Sequence, residues 1–127
     1  MITSSSLVQS NRFKIGWITL LVISALAALN HIILAFVMTD EATLFIGWAA
    51  FNLYSTIVLA IPFRRGERWA WYTSWILVIA FAITILFSAQ IGPFYLGAGV
   101  MMALGLLLTY PAFFQENRRP EQISNNI

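Results

Sequence analysis

The chain has 127 residues, of which 60% are hydrophobic and only 9% charged. Soluble domains carry about 25% charged residues, so this composition excludes an ordinary soluble domain. There is no cysteine, which excludes disulfides, thiolate metal sites and thiol catalysis. The net charge of +2 does not point to nucleic acid, because the basic residues sit at the ends of apolar runs, where anionic lipid headgroups lie.

Residues 1–11 form a polar N-terminal tail, and Arg12 and Lys14 introduce the first apolar run, about 15–38. A cleaved secretory signal is the rival reading, with small residues at Ser24-Ala25-Leu26-Ala27-Ala28. A signal's apolar core is only about 7–15 residues long, and this run continues to Met38. At about 1.5 Å per residue the run reaches about 36 Å, enough to cross about 30 Å of hydrocarbon with some tilt. It reads as a retained transmembrane helix.

A short acidic turn, Thr39-Asp40-Glu41, leads to the second run, about 42–63, which ends at Pro62 and the Arg64-Arg65 pair. The third run, about 69–88, follows the charged knot Arg64 to Arg68. Gln90-Ile91-Gly92-Pro93 makes a tight turn into the fourth run, about 94–114. The tail 115–127 is polar and carries Arg118 and Arg119. Each run is apolar on all sides for about twenty residues and does not alternate as a barrel strand would. The expected fold is therefore all-α, a single integral membrane domain built as an antiparallel bundle of four transmembrane helices.

All seven basic residues (Arg12, Lys14, Arg64, Arg65, Arg68, Arg118 and Arg119) fall on one side of that topology. The positive-inside rule places that side, with both termini, in the cytoplasm of a plasma or inner membrane, and Asp40 and Glu41 outside. Trp17, Trp69, Trp71, Tyr72 and Tyr110 are expected at the inner interface and Tyr95 at the outer. Arg64, Arg65, Arg68, Trp69 and Trp71 are the candidate headgroup contacts. Within the knot, Gly66 permits a sharp turn and Glu67 meets the positive end of the next helix.

The stretch Arg64-Arg65-Gly66-Glu67-Arg68-Trp69-Ala70-Trp71-Tyr72 resembles the central hairpin of small four-helix bacterial membrane proteins, loosely grouped as DoxX-like. The resemblance rests on about nine residues together with the four-span layout. The Arg- and Gly-rich pattern that DoxX-like proteins carry in the first span has no counterpart here. No functional residue, and no link to a quinone or redox partner, is carried over.

Few side chains inside the spans can do chemistry. Asn30 and His31 lie in the first, Asn52 in the second and Thr84 in the third. Counted from the outer ends at 1.5 Å per residue, they sit about 12, 10, 15 and 6 Å deep, all in the outer half. Small and polar residues form a stripe on each helix, expected to face inward: Ser24, Ala28, His31, Ala35; Ala49, Asn52, Thr56, Ala60; Thr73, Ala80, Thr84, Ser88; and Tyr95, Gly99, Ala103, Tyr110. Two readings stand. Asn30, His31 and Asn52 are either hydrogen-bonded packing contacts between helices or, with Thr84, the lining of a small polar pocket.

A catalytic triad, a metal-ligand set and an intramembrane carboxylate are all missing from the pattern, so no cofactor or metal is expected. Three functions follow. The first is a non-enzymatic interaction or accessory protein, forming a homo-oligomer or joining a larger complex through Gly97, Gly99, Ala103 and Gly105. The second is a binder or transporter of a small apolar or amphipathic molecule, and the third a lipid- or quinone-related enzyme. The lipid bilayer is the partner common to all.

Overall fold

The computed structural model describes residues 10–114. Arg118 and Arg119, and the remainder of both tails, lie outside the described residues. Four helices long and apolar enough to cross a membrane account for nearly all of the described chain, which contains no strand. They are α1 (Asn11–Val37), α2 (Ala42–Val58), α3 (Arg68–Ile83) and α4 (Gly92–Phe114). A single 3₁₀ turn, Thr39–Glu41, leads into α2, a π-helical turn, Leu59–Phe63, prolongs it, and a 3₁₀ turn, Thr84–Leu86, ends α3.

The first span starts four residues before the hydrophobic run because Ser10 caps it. The Ser10 hydroxyl accepts from the Phe13 N–H at 3.2 Å, satisfying one of the free amides of the first turn. The π turn coincides with Pro62, which has no N–H for the carbonyl four residues back and crowds the preceding turn. Gly66 then reverses the chain at φ +77°, a left-handed conformation open to glycine. Glu67 stands at the N-cap of α3, its carboxylate accepting from Trp69 Nε1 at 2.6 Å.

The helices are arranged as an arc in the order α2, α1, α4, α3. The pairs α1–α2, α1–α4 and α4–α3 pack along much of their length, whereas α2 and α3 meet mainly through the π turn. The central crossing is that of α1 and α4, where Gly16 and Gly105 face each other. A Cβ on Gly16 would lie 2.5 Å from the Gly105 carbonyl oxygen, so the two backbones touch.

The end of the bundle carrying Arg12, Lys14, Arg64, Arg65 and Arg68 is tied across all four helices. Phe13 of α1, Phe63 of the π turn and Phe113 of α4 are buried together, with ring centroids 4.9–6.2 Å apart. Trp17 Nε1 donates to the Leu59 carbonyl at 2.8 Å, and Arg68 Nε to the Phe113 carbonyl at 3.1 Å near the end of α4. Arg64 lies over the Trp17 ring, while Arg65 and Trp69 are exposed.

Three sequence expectations change. Trp71 is buried rather than turned to headgroups, and its Nε1 donates to the Leu106 carbonyl at 3.1 Å. The buried face of α3 is Ala70, Trp71, Ser74, Leu77, Val78 and Phe81, while Thr73 is exposed. That helix has one full-length neighbour, and toward Gly99 its large side chains make the contact, while the expected stripe residue Thr73 stays outside it. The fourth-span glycines are not a free face for another chain. Gly99 packs on Val78, Phe81 and Ala82, and Gly105 on Gly16 and Leu20, both within the bundle, leaving only Gly97 open.

Replacing Gly16 with alanine forces α1 and α4 apart, because a backbone oxygen cannot yield as a side chain would. Gly16→Ala is expected to lower stability in detergent by about 1–3 kcal/mol, the range for overpacking. Gly97→Ala, with nothing within 4 Å of its Cβ position, should leave it unchanged or slightly raised. Equal denaturation curves for Gly16→Ala and wild type would show that this crossing is not tight.

Candidate functional site

Toward the acidic end, α1, α2 and α4 bring their polar side chains together. His31 is 6% exposed and Asn52 is fully buried. Their side chains approach to 3.5 Å, from Asn52 Nδ2 to His31 Nδ1. Both atoms already have better partners. His31 Nδ1 lies 2.8 Å from the Ala27 carbonyl, an acceptor only, so Nδ1 carries the hydrogen and donates to it. Nε2 is then the acceptor, and the Tyr95 hydroxyl donates to it at 3.3 Å. Asn52 Nδ2 donates to the Trp48 carbonyl at 2.8 Å.

One turn deeper, the Thr56 hydroxyl donates to the Asn52 carbonyl at 2.8 Å, and Ser24 Oγ lies 3.1 Å from that carbonyl and 2.9 Å from Thr56 Oγ1. The predicted stripes of α1 and α2 therefore do meet, through Ser24, His31, Asn52 and Thr56. One atom in this set has no partner among the described residues: Asn52 Oδ1, buried and without a donor.

Aromatic rings enclose the imidazole. Phe45, Trp48 and Tyr95 lie with centroids 6.2–6.3 Å from it, and Phe81 of α3 packs on Tyr95 at 5.4 Å. Beyond Trp48 the bundle is open. Because α2 and α3 separate away from the π turn, a groove of about 450 Å³ lies between them. It is lined by Thr43, Leu44, Gly47, Trp48 and Phe51 of α2 and by Ile76 and Ala80 of α3, a nearly wholly apolar surface. The volume falls within the usual range of small-molecule pockets.

Of the four candidates read from the sequence, the structure joins His31 and Asn52. Asn30 is exposed on the surface of α1, beside the Tyr95 hydroxyl. Thr84 donates to the Ala80 carbonyl of its own helix and takes no part in the cluster. Two residues gain importance. Tyr95, expected at the outer interface and on the inward stripe of the fourth span, is the hydrogen-bond partner of His31. Trp48 forms both a wall of the groove and a face of the imidazole enclosure. Its position was a usable signal: six residues after Ala42 it lies about 9 Å below the outer end, deeper than an interfacial Trp.

Both imidazole nitrogens are engaged, no group of three His, Cys, Asp or Glu converges among the described residues, and the hydrogen-bonded cluster lies beside an apolar surface. No family model, curated protein or solved structure matches the chain.

The His31–Tyr95 bond joins α1 to α4 and is open to a double-mutant cycle. His31→Leu and Tyr95→Phe should each destabilise, with a coupling of about 0.6 kcal/mol and at most about 1.7, the values found for such bonds in membranes. Losses that simply add would mean that the 3.3 Å contact contributes nothing.

Proposed function

We propose that this chain is a non-enzymatic, multi-pass protein of a plasma or inner membrane that takes a small apolar or amphipathic molecule from the bilayer into the groove between α2 and α3. The observation that carries the reading is that groove, about 450 Å³ in volume, with an apolar lining that faces sideways where hydrocarbon would be. The five basic residues gathered at the opposite end support an orientation with that end and both termini in the cytoplasm, so the groove lies in the outer half.

Two experiments test this. Reporter fusions at Gly66 should read cytoplasmic and at Asp40 external; an external Gly66 would invert the layout. In vesicles, a fatty acid bearing a photoactivatable diazirine should label the groove wall saturably, unlike the random labelling of lipid-facing surfaces. Gly47 lines the groove and has nothing within 4 Å of its Cβ position, so Gly47→Phe directs a ring into that space. It should reduce the saturable labelling severalfold at unchanged melting temperature. Undiminished labelling would remove the groove as a binding site.

A second reading, an interaction or accessory protein whose partner helix fills the groove, is favoured by the same open Gly47. The chain has no cysteine, so Gly47→Cys gives a single thiol. Efficient disulfide formation between copies would support this reading over the first.

A further inference from the structure

The groove explains where a hydrocarbon chain would go, but it leaves Asn52 Oδ1 unexplained. An amide oxygen buried in an apolar helical bundle needs a donor, since hydrocarbon offers none and an unmet polar group there is costly. The donors of the cluster itself are all engaged. The Thr56 hydroxyl goes to the Asn52 carbonyl, and that of Ser24 to the same carbonyl or to Thr56 Oγ1. His31 Nδ1–H goes to Ala27, the Tyr95 hydroxyl to His31 Nε2, and Asn52's own amide to the Trp48 carbonyl. Turning the Asn52 amide over does not help, because it would set its oxygen against the Trp48 carbonyl. No donor among the described residues supplies the hydrogen that Oδ1 lacks.

The position of Asn52 points to a source. It follows Phe51 directly and lies one helical turn beyond Trp48, and both of those residues form the groove wall. Resting on the proposal that the groove holds a membrane-derived molecule, we infer that Asn52 Oδ1 accepts a hydrogen bond from the head of that molecule. The ligand class is thereby narrowed to amphipaths with a hydroxyl or N–H donor on a hydrocarbon chain. The head reaches Oδ1 when the Trp48 and Phe51 rings, which meet edge-on at 6.1 Å, move apart. The tail lies along Leu44, Gly47, Ile76 and Ala80. Transport, hydrolysis and redox chemistry form no part of this inference.

The test uses the saturable photolabelling of the full-length protein in vesicles and two competitors of equal chain length. Hexadecanol can donate a hydrogen bond, and hexadecyl methyl ether cannot. In wild type the alcohol should compete about tenfold more effectively, the factor for one buried hydrogen bond. Asn52→Leu should compete equally with both, retaining the tail site and losing the preference. Gly47→Phe should lose both. Equal competition by the two compounds in wild type would overturn the inference while leaving the groove standing, and is the result if a water satisfies Oδ1. A preference that persists in Asn52→Leu would overturn it too. If neither compound competes, and labelling is not saturable, the groove reading itself fails. Because the wild-type comparison needs no substitution, the inference remains testable should Asn52→Leu fold poorly.

Discussion

The contact on which the rest of the structure depends is the crossing of α1 and α4 at Gly16 and Gly105. In lipid there is no hydrophobic drive to bring helices together, so association rests on how closely backbones approach. Here a single Cβ would be excluded. With α1 and α4 joined in this way, the other two helices are added one to each side. Each has one full-length neighbour, so α2 and α3 are held at the basic end by the π turn and the Phe13–Phe63–Phe113 cluster and diverge beyond it. Groove and core therefore share an origin: the residues that close one end of the bundle leave the other end open between α2 and α3.

Within the bundle, polar groups are handled in two ways. Most are used up close to home, as with Ser55 to Phe51, Ser74 to Ala70 and Thr84 to Ala80, each hydroxyl donating to the carbonyl one turn back. Such bonds remove a hydrogen without joining helices. The His31, Asn52, Ser24 and Tyr95 group differs, because it links α1 to both α2 and α4. It is also the group that keeps an acceptor free. The Asn52 amide nitrogen is used within its own helix, donating to the Trp48 carbonyl, while the amide oxygen has no partner among the described residues.

The sequence made the four spans legible because a segment surrounded by lipid is apolar on every side, and a charge knot such as Arg64 to Arg68 cannot lie within one. The facing stripes of α1 and α2 were legible too, since Ser24, His31, Asn52 and Thr56 are polar and have to be buried. The inner face of α3 was not. Its large residues at Leu77, Val78 and Phe81 look no different from those facing lipid at Ile76, Ile79 and Ile83, and only the partner helix decides between them. The same holds for the site. Depth arithmetic brought His31 and Asn52 to one level, but the bond from Tyr95 depends on α4 lying against α1, which no periodicity within either span encodes. The groove was out of reach for a related reason, being a property of two helices that do not meet.

An open apolar groove would be a liability in water, where closing it would gain free energy for every Å² buried. In a bilayer that gain disappears, because acyl chains solvate Leu44, Ile76 and Ala80 as well as a neighbouring helix does. The groove can therefore persist at little cost, and for the same reason it cannot discriminate. One hydrocarbon chain leaving the bilayer for an apolar wall gains almost nothing in transfer, whichever chain it is. Selectivity at such a surface has to come from a polar contact that lipid tails do not offer. Of the buried side-chain polar atoms described, Asn52 Oδ1 is the one left without a partner, and it lies behind the wall of that groove. Any preference for one membrane molecule over another would be decided there.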